Sequence, residues 1–362
     1  MPAKTLLSAL FLFLTFHCVG QDSTYIYTSA KNTYRETDSI ARTKVYNGDL
    51  RLLVSELTDS YADNTYKARA IFAWIADNIA YDYKAFNNHK HYKAPKCKTG
   101  DDCLKVIADW KEDYTDKVLR SGKSVCDGYA WLFKRMCDYA GLQTDFVPGY
   151  TKHSPDEVGR MGALDHAWNG IILDGKYYYL DVTWASGHCP KDKKGKLKAF
   201  EKSFNDFYWL TPIEKFCQNH YPEDPKSPGV ANYSVERYKN NPYIINDYLE
   251  EIEVILPSTG VVTAKVGDTI NFAIQHKLGF WDLHFSTNTK HNPYIVANSK
   301  TVYKTLGFVT GEEQRTDQYS LPFKRKGDIY SFDFVVDNKN LRVIEFYMNG
   351  LLQLVFKVKV IK

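Results

Sequence analysis

The chain has 362 residues, of which 44% are hydrophobic and 25% charged, a composition typical of a globular protein with two or three domains. Its formal net charge of +4 is small and spread along the chain, so composition gives no support for nucleic acid as a partner. Aromatic residues make up 15% of the chain and include 27 tyrosines, which suits β-rich structure.

The N-terminus has the pattern of a secretory signal peptide. Lys4 precedes the apolar run Leu6–Phe16, and small residues follow before the polar Gln21. The run is too short to span a bilayer comfortably, and no later stretch is long and apolar enough for a membrane span. We therefore expect cleavage near Gly20-Gln21, which removes residues 1–20 and leaves an exported chain, periplasmic or extracellular.

A clear amphipathic helix is predicted over Tyr66–Ile79. Ile71, Trp74, Ile75 and Ile79 fall on one face at helical spacing, so we interpret the segment as a core helix.

The stretch 84–120 that follows is charged and rich in lysine. It contains His89, His91, Cys97 and Cys103, but their spacing matches no compact zinc-ligand pattern, so we interpret it as a solvated loop and expect no metal site. Its tail, from Cys103 onward, has the pattern of a helix. An oxidising compartment would allow disulfides, for which Cys97–Cys103 and Cys189–Cys217 are the natural pairs; sequence does not decide the pairing.

The segment Ser121–Ala140 is predicted to be a turn that leads into a helix with Cys126 in its first turn. Gly122 and Ser124 break and cap the chain, and apolar residues then recur at helical spacing. The positive end of the helix dipole favours a thiolate at that position, which is the form that attacks acyl carbons. The alternative is a buried structural cysteine, the role that we expect for Cys137 on the same helix.

Several strands follow the cysteine helix. Gln143–Tyr150 is predicted to be a strand, and the strands His166–Leu173 and Lys176–Trp184 are joined by Asp174-Gly175, a strong signal for a two-residue hairpin turn. Phe207–Trp209 is predicted to be a further strand.

The hairpin register places two candidate site residues on one face. The turn pairs Leu173 with Lys176, and counting back along both strands places His166 opposite Thr183. Asp181 then lies diagonally from His166, about 7–8 Å away at the backbone. A carboxylate there could accept the imidazole N–H and fix its tautomer. A slip of one residue would separate the two, so the prediction depends on the turn.

The proline-rich stretch around 218–245 is predicted to be a linker, because four prolines and several asparagines break its pattern. Beyond it, 246–362 is predicted to be an immunoglobulin-like β-sandwich with a type I′ turn at Asn349-Gly350. This region collects no titratable groups as a catalytic site would, so we assign it to binding or spacing. The predicted strands are Glu251–Leu256, Thr269–Gln275, Trp281–Ser286, Asp328–Val336, Leu341–Met348 and Leu351–Val360.

Cys126, His166 and Asp181 together have the residue types of a nucleophile, a base and the group that orients the base. Taken singly, His166 could be a core histidine and Asp181 a residue at a strand end. The combination of a cysteine at a helix start with a hairpin that carries both partners favours a catalytic site.

The same residues resemble a known family. The motifs SVCDGYA, DHAWNGI and YYYLDVTW resemble those of the transglutaminase-like superfamily, in the branch similar to kyphoscoliosis peptidase, and ARAIFAWIADNIAYD resembles its upstream helix. The resemblance implies an α+β, papain-like transglutaminase core over 21–217, with the cysteine helix packed on an antiparallel sheet. It also implies Cys126 as nucleophile, His166 as general base and acid, and Asp181 as orienting carboxylate, with no cofactor.

The expected reaction is acyl transfer. The Cys126 thiolate attacks a peptide or glutamine amide, and the thioester then passes to water, as in a protease or amidase, or to an amine, as in a transglutaminase. A protein or peptide is the expected substrate. Because the family also contains members that bind without turnover, the alternative is a catalytically silent, secreted binding or scaffold protein that uses the core and the β-sandwich for protein interaction.

Overall fold

The computed structural model describes residues 33–90, 92–291 and 319–362. The predicted signal peptide, residues 1–20, lies outside this range. The α-helices are α1 (Arg35–Thr43), α2 (Leu50–Thr58), α3 (Asn64–Asn78), α4 (Tyr83–Asn87), α5 (Cys103–Ser121), α6 (Cys126–Tyr139), α7 (Val182–Ser186), α8 (Ile213–Phe216) and α9 (Val235–Asn240).

The β-strands fall into a first set up to residue 222 and a second set beyond it. The first set is β1 (Ala80–Tyr81), β2 (Lys123–Ser124), β3 (Thr144–Thr151), β4 (Leu164–Leu173), β5 (Lys176–Leu180), β6 (Gly187–His188), β7 (Glu201–Lys202) and β8 (His220–Pro222). The second set is β9 (Tyr243–Ile244), β10 (Ile252–Leu256), β11 (Val261–Ala264), β12 (Thr269–His276), β13 (Leu283–Thr287), β14 (Phe323–Lys326), β15 (Ile329–Val335), β16 (Val343–Met348) and β17 (Leu351–Val360).

The predicted core helix is α3. It starts two residues earlier than expected because the Asp63 side chain accepts a hydrogen bond from the Thr65 amide, 2.6 Å away, and so caps its N-terminus. Every residue over 68–76 is buried, and not one face alone, because α1, α2, α6 and α7 all pack against this helix. A core helix is therefore confirmed, although it is central rather than amphipathic.

The chain reaches Cys126 through a short parallel bridge. Gly122, in the left-handed conformation with φ +62°, ends α5, and β2 then pairs with β1 so that Tyr81 lies opposite Ser124. The predicted cap at Ser124 is wrong, because Ser124 belongs to this bridge and the N-cap residue of α6 is Val125, which makes no side-chain cap. Cys126 is nevertheless the first residue of α6, as predicted.

The cysteine helix packs on an antiparallel sheet of order β5-β4-β3-β8, with contacts to β3 and β4. The predicted turn forms at Asp174-Gly175, with φ +50° and +72°, and Leu173 pairs with Lys176. The strand ends at Leu180, however, because Asp181 caps α7. The predicted pairing of His166 with Thr183 is therefore wrong, and His166 pairs with Gly149 on β3 instead.

Two other expectations differ from the structure. Phe207–Trp209 is not a strand, since the Asn205 side chain accepts from the Phe207 amide and starts the 3-10 turn Asp206–Tyr208. The stretch 218–245 is folded rather than an extended linker, because it adds β8 to the sheet and buries Tyr221 and Tyr238. The division of the chain into domains at these points stays a prediction.

Two mainly antiparallel sheets in the C-terminal region form the predicted β-sandwich. One has the order β10-β12-β15-β14, and the other β11-β17-β16-β13, with β11 parallel to β17. Rings from both sheets meet between them: the Phe272 ring centroid lies 4.8 Å from that of Phe346 and 5.0 Å from that of Phe356. The Asn349-Gly350 turn is confirmed by φ values of +53° and +75°. The short strands β11 and β14 were not predicted.

The pairing that the sequence left open is not made in the structure, where Cys97, Cys103, Cys189 and Cys217 are free cysteines. Cys137 is fully buried, as expected for a structural residue. Across the part of the chain that the structure describes, no helix has the length and apolar character needed to cross a membrane.

Candidate active site

Cys126 lies at the point where α6 begins, above the sheet. As the first helical residue, its backbone N–H has no partner within the helix. Its sulfur is 3.9 Å from the backbone carbonyl oxygen of Asp165 and 3.8 Å from Oδ1 of Asp127. Because Asp165 directly precedes His166 on β4, these contacts place the thiol beside the imidazole.

His166 and Asp181 are in direct contact in a dry environment. Nε2 of His166 lies 2.6 Å from Oδ2 of Asp181, and the two residues are 8% and 0% exposed. The other carboxylate oxygen, Oδ1, accepts from the Trp184 amide, 3.0 Å away, because Asp181 is the N-cap of α7. Since Nε2 of His166 is committed to Asp181, Nδ1 is the ring nitrogen left to exchange a proton with Cys126.

The electrostatics favour a charged imidazole at neutral pH. Burial alone would lower the pKa of His166, but the charges of Asp181 and Cys126 and the hydrogen bond that His166 donates to Asp181 raise it to about 10. Burial likewise opposes the charge on Asp181, yet His166 and His220 hold the pKa of that carboxyl well below its usual range. The arrangement can therefore keep an imidazolium beside an ionised carboxylate.

Sequence analysis missed a fourth group at this site, His220. Its Nε2 lies 3.1 Å from the same oxygen of Asp181 that His166 contacts, and His220 is fully buried. It was overlooked because it lies in the stretch read as a linker, 39 residues after Asp181. A lone histidine between prolines gives no spacing signal, so only the pairing of β8 with β3 could reveal it.

Aromatic rings surround the histidines and exclude water from them. Trp184 lies against both rings, with centroid separations of 5.5 Å to His166 and 4.6 Å to His220. Trp168 packs edge-on against His220 at 5.1 Å, and it can do so because Gly149 lies beneath it: a Cβ at Gly149 would meet the Trp168 ring at 2.1 Å. The low polarity strengthens the bonds to Asp181.

The cluster of His166, Asp181 and His220 also has the residue types of a metal site, since one ligand atom of each lies within 4.8 Å of the others. The contacts of 2.6 and 3.1 Å to Oδ2 are hydrogen-bond lengths, and hydrogen bonds account for the arrangement without an ion between these atoms. We therefore interpret the cluster as a proton network, and the expectation that no metal or cofactor is needed stays a prediction.

Tyr81 completes the surroundings of the thiol. The β1–β2 bridge holds it opposite Ser124, two residues before Cys126. Burial raises the pKa of Tyr81, and Cys126 is the nearby charge with the largest further effect. Tyr81 therefore lies in the neighbourhood of Cys126.

A cysteine at the start of a helix, packed on an antiparallel sheet that carries a histidine, defines a papain-like cysteine protease fold of the transglutaminase type. Residues 51–182 match the transglutaminase-like superfamily. This match and the similarities that follow support a transglutaminase-like core, similar to that of kyphoscoliosis peptidase.

Kyphoscoliosis peptidase of Mus musculus is 34% identical over 193 residues, which are 53% of this chain and 26% of that protein. Its Homo sapiens counterpart is 33% identical over 217 residues, 58% of this chain and 29% of that protein. The chain thus matches less than a third of the length of these relatives. The chain in the crystal structure of a TGase is 19% identical in sequence to this one. The match covers 44% of this chain and 36% of that chain, and its TM-score of 0.25 is too low to support any further argument.

Proposed function

We propose that this protein is a cysteine acyl-transfer enzyme that acts on peptide or glutamine amides, with Cys126 as nucleophile, His166 as general base and acid, and Asp181 as the orienting carboxylate. The observation that carries the proposal is the buried contact of 2.6 Å between His166 and Asp181, beside the thiol at the start of α6. A buried, hydrogen-bonded histidine next to a cysteine is the arrangement that activates a thiol.

The reaction begins with the Cys126 thiolate, which attacks the amide carbonyl carbon as the imidazolium of His166 stands beside it. When the C–N bond breaks, His166 gives its proton to the departing amine and a thioester remains on Cys126. His166, now neutral, takes a proton from the incoming water or amine, whose oxygen or nitrogen displaces the sulfur. Asp181 holds the ring in place through Nε2 in both halves and stabilises its charged form.

We infer two donors for the oxyanion of the tetrahedral intermediate. The Cys126 backbone N–H has no intrahelical partner, and the second is the hydroxyl of Tyr81, whose backbone the β1–β2 bridge pairs with Ser124. Each would stabilise negative charge that develops only during the reaction, so each should affect kcat more than KM.

The test is turnover on a panel of peptides and glutamine-containing proteins, with and without a primary amine. We expect hydrolysis or amine incorporation that is lost in Cys126→Ala, together with a hydroxylamine-sensitive acyl adduct on the Cys126 peptide. Cys137→Ala is the matched control, because it removes a buried thiol from the same helix. Activity that persists in Cys126→Ala would refute the proposal, and a folded protein that turns over no substrate and forms no adduct would favour the binding or scaffold function.

We also propose that the protein is exported after cleavage near Gly20-Gln21. The support is the basic residue, short apolar run and small residues of the N-terminus. Fractionation of the producing cell with N-terminal sequencing tests this: a mature chain outside the cytoplasm that begins near Gln21 is expected, and an uncleaved cytoplasmic chain would contradict it.

A further inference from the structure

His220 has the position of a structural support for Asp181. It lies on β8, the edge strand that pairs with β3, and its side chain is fully buried. Nε2 lies 3.1 Å from Oδ2 of Asp181, and Nδ1 lies 2.6 Å from Oδ1 of Asn219. Both ring nitrogens therefore face an oxygen acceptor, and a neutral ring can donate its single N–H to only one of them.

The surroundings of His220 keep it neutral. Burial, and the charge of His166, lower the pKa of His220 to about 4, even though Asp181 acts in the opposite direction. At neutral pH one ring N–H remains, and the carboxylate of Asp181 is the stronger acceptor for it. The titratable groups that face this pair from the packed elements are His166 on β4, Cys126 and Tyr129 on α6, Tyr208 in the turn Asp206–Tyr208, and His153 after β3.

We propose that His220 is a positioning residue of the acyl-transfer site, which donates Nε2–H to Oδ2 of Asp181 and so holds that carboxylate ionised and aligned for His166. The inference rests on the proposed function and deepens it, since it extends the expected three residues to four. The hydrogen bond that joins His220 to the expected three residues is the one to Asp181, so we infer that it acts through that carboxylate.

The consequence is a specific pH effect. Asp181 has three N–H donors: His166 and His220 at Oδ2 and the Trp184 amide at Oδ1. Removing one donor from a buried carboxylate makes its charged form less favourable, so its pKa rises. A carboxylate with one donor fewer is also held less firmly, so it is a weaker partner for the imidazolium of His166, which in turn is a weaker partner for the thiolate of Cys126. The acid limb of thiolate reactivity should therefore move toward neutral pH.

The experiment measures the alkylation rate of Cys126 by iodoacetamide from pH 4 to pH 10, read by mass spectrometry of its peptide, which needs no substrate. In His220→Leu we expect the acid limb to rise by about one pH unit, the size of one hydrogen bond to a charged group. His220→Gln, whose amide can donate from nearly the same place, should restore most of the shift.

The matched control is His276→Leu. His276 is also a buried histidine, hydrogen-bonded to Gln353 at 2.9 Å, but in the β-sandwich. It should lower the melting temperature without moving the acid limb. An unmoved limb in His220→Leu, or an equal shift in His276→Leu, would overturn the inference.

Nitrogen NMR of the wild-type protein keeps the inference testable if His220→Leu does not fold. A neutral His220 protonated at Nε2 at pH 7 is expected, and protonation at Nδ1 alone would overturn the inference. An alkylation profile that His166→Ala leaves unchanged would overturn the proposed function, and with it the role of His220; a profile that responds to His166 but not to His220 would overturn only the latter.

Discussion

Replacing Asp181 by asparagine should disable the site while leaving the fold in place. The amide is nearly the same size, but it carries no charge and presents an NH₂ group where the carboxylate now meets only donors: His166 and His220 at one oxygen and the Trp184 amide at the other. One of these bonds becomes a donor–donor contact, and the imidazolium of His166 loses its counter-charge.

The size of the effect follows from the pKa of His166. Burial alone would lower that pKa below its ordinary value of 6.5, and Asp181 is the largest of the charges that raise it to about 10. The rise of about 3.5 units from the ordinary pKa corresponds to about 5 kcal/mol in favour of the charged imidazole, and Cys126 supplies a part of it. We therefore expect kcat/KM at pH 7 to fall roughly 10³-fold or more, because the imidazolium–thiolate pair no longer forms.

The assay is kcat/KM across pH on whichever substrate the panel identifies, alongside the rate of Cys126 alkylation. Asp38→Asn is the control, because Asp38 is a buried carboxylate that pairs with Arg69 at 2.7 Å in the helical part of the protein. It should lower stability without changing the pH profile. If Asp181→Asn keeps activity within tenfold of the wild type at pH 7, the assigned role of Asp181 is wrong.

Three further results are expected. The two histidines make the free energy of unfolding depend on pH in opposite directions. His166, with its pKa raised to about 10, stabilises the fold below pH 6.5 and loses that contribution as pH rises toward 10. His220, with its pKa lowered to about 4, stabilises the fold above pH 6.5 and loses that contribution as pH falls toward 4. Urea titrations should thus give slopes of up to about 1.4 kcal/mol per pH unit on either side of pH 6.5, and a flat profile would contradict the assignment. Gly149→Ala should lower the free energy of unfolding by about 1–3 kcal/mol in the same titrations, because the new Cβ would overlap the Trp168 ring; an unchanged midpoint would show that the ring can move away. Tyr81→Phe should reduce kcat roughly 10²-fold with little change in KM in steady-state assays. A rise in KM of the same size with kcat unchanged would instead place Tyr81 in substrate binding.

Much of the core could be predicted from the sequence because its signals are local. The period of α3, the helix that starts at Cys126 and the Asp174-Gly175 turn each depend on neighbouring residues, and all three are present. The β-sandwich could be predicted for the same reason, since its long strands alternate and its last turn is marked by Asn349-Gly350.

What could not be predicted depends on contacts between distant residues. Asp181 reaches His166 not across a hairpin but from the N-cap of a short helix that ends β5, so the contact was expected for a geometric reason that proved wrong. His220 belongs to a stretch whose prolines indicate a linker, and its burial depends on a strand pairing with residues 69 or more positions earlier, at 149–151. Neither feature leaves a periodic trace in the sequence.

The central claim is that His166 holds Cys126 as a reactive thiolate, and the alkylation rate of Cys126 as a function of pH tests it most directly. In the wild type, we predict that the Cys126 rate is already on its plateau near pH 6, and that His166→Ala moves its rise toward about pH 8.5, the range of an ordinary thiol. A Cys126 rate that rises only near pH 8.5, the range of an ordinary thiol, and that does not respond to His166→Ala would contradict the account.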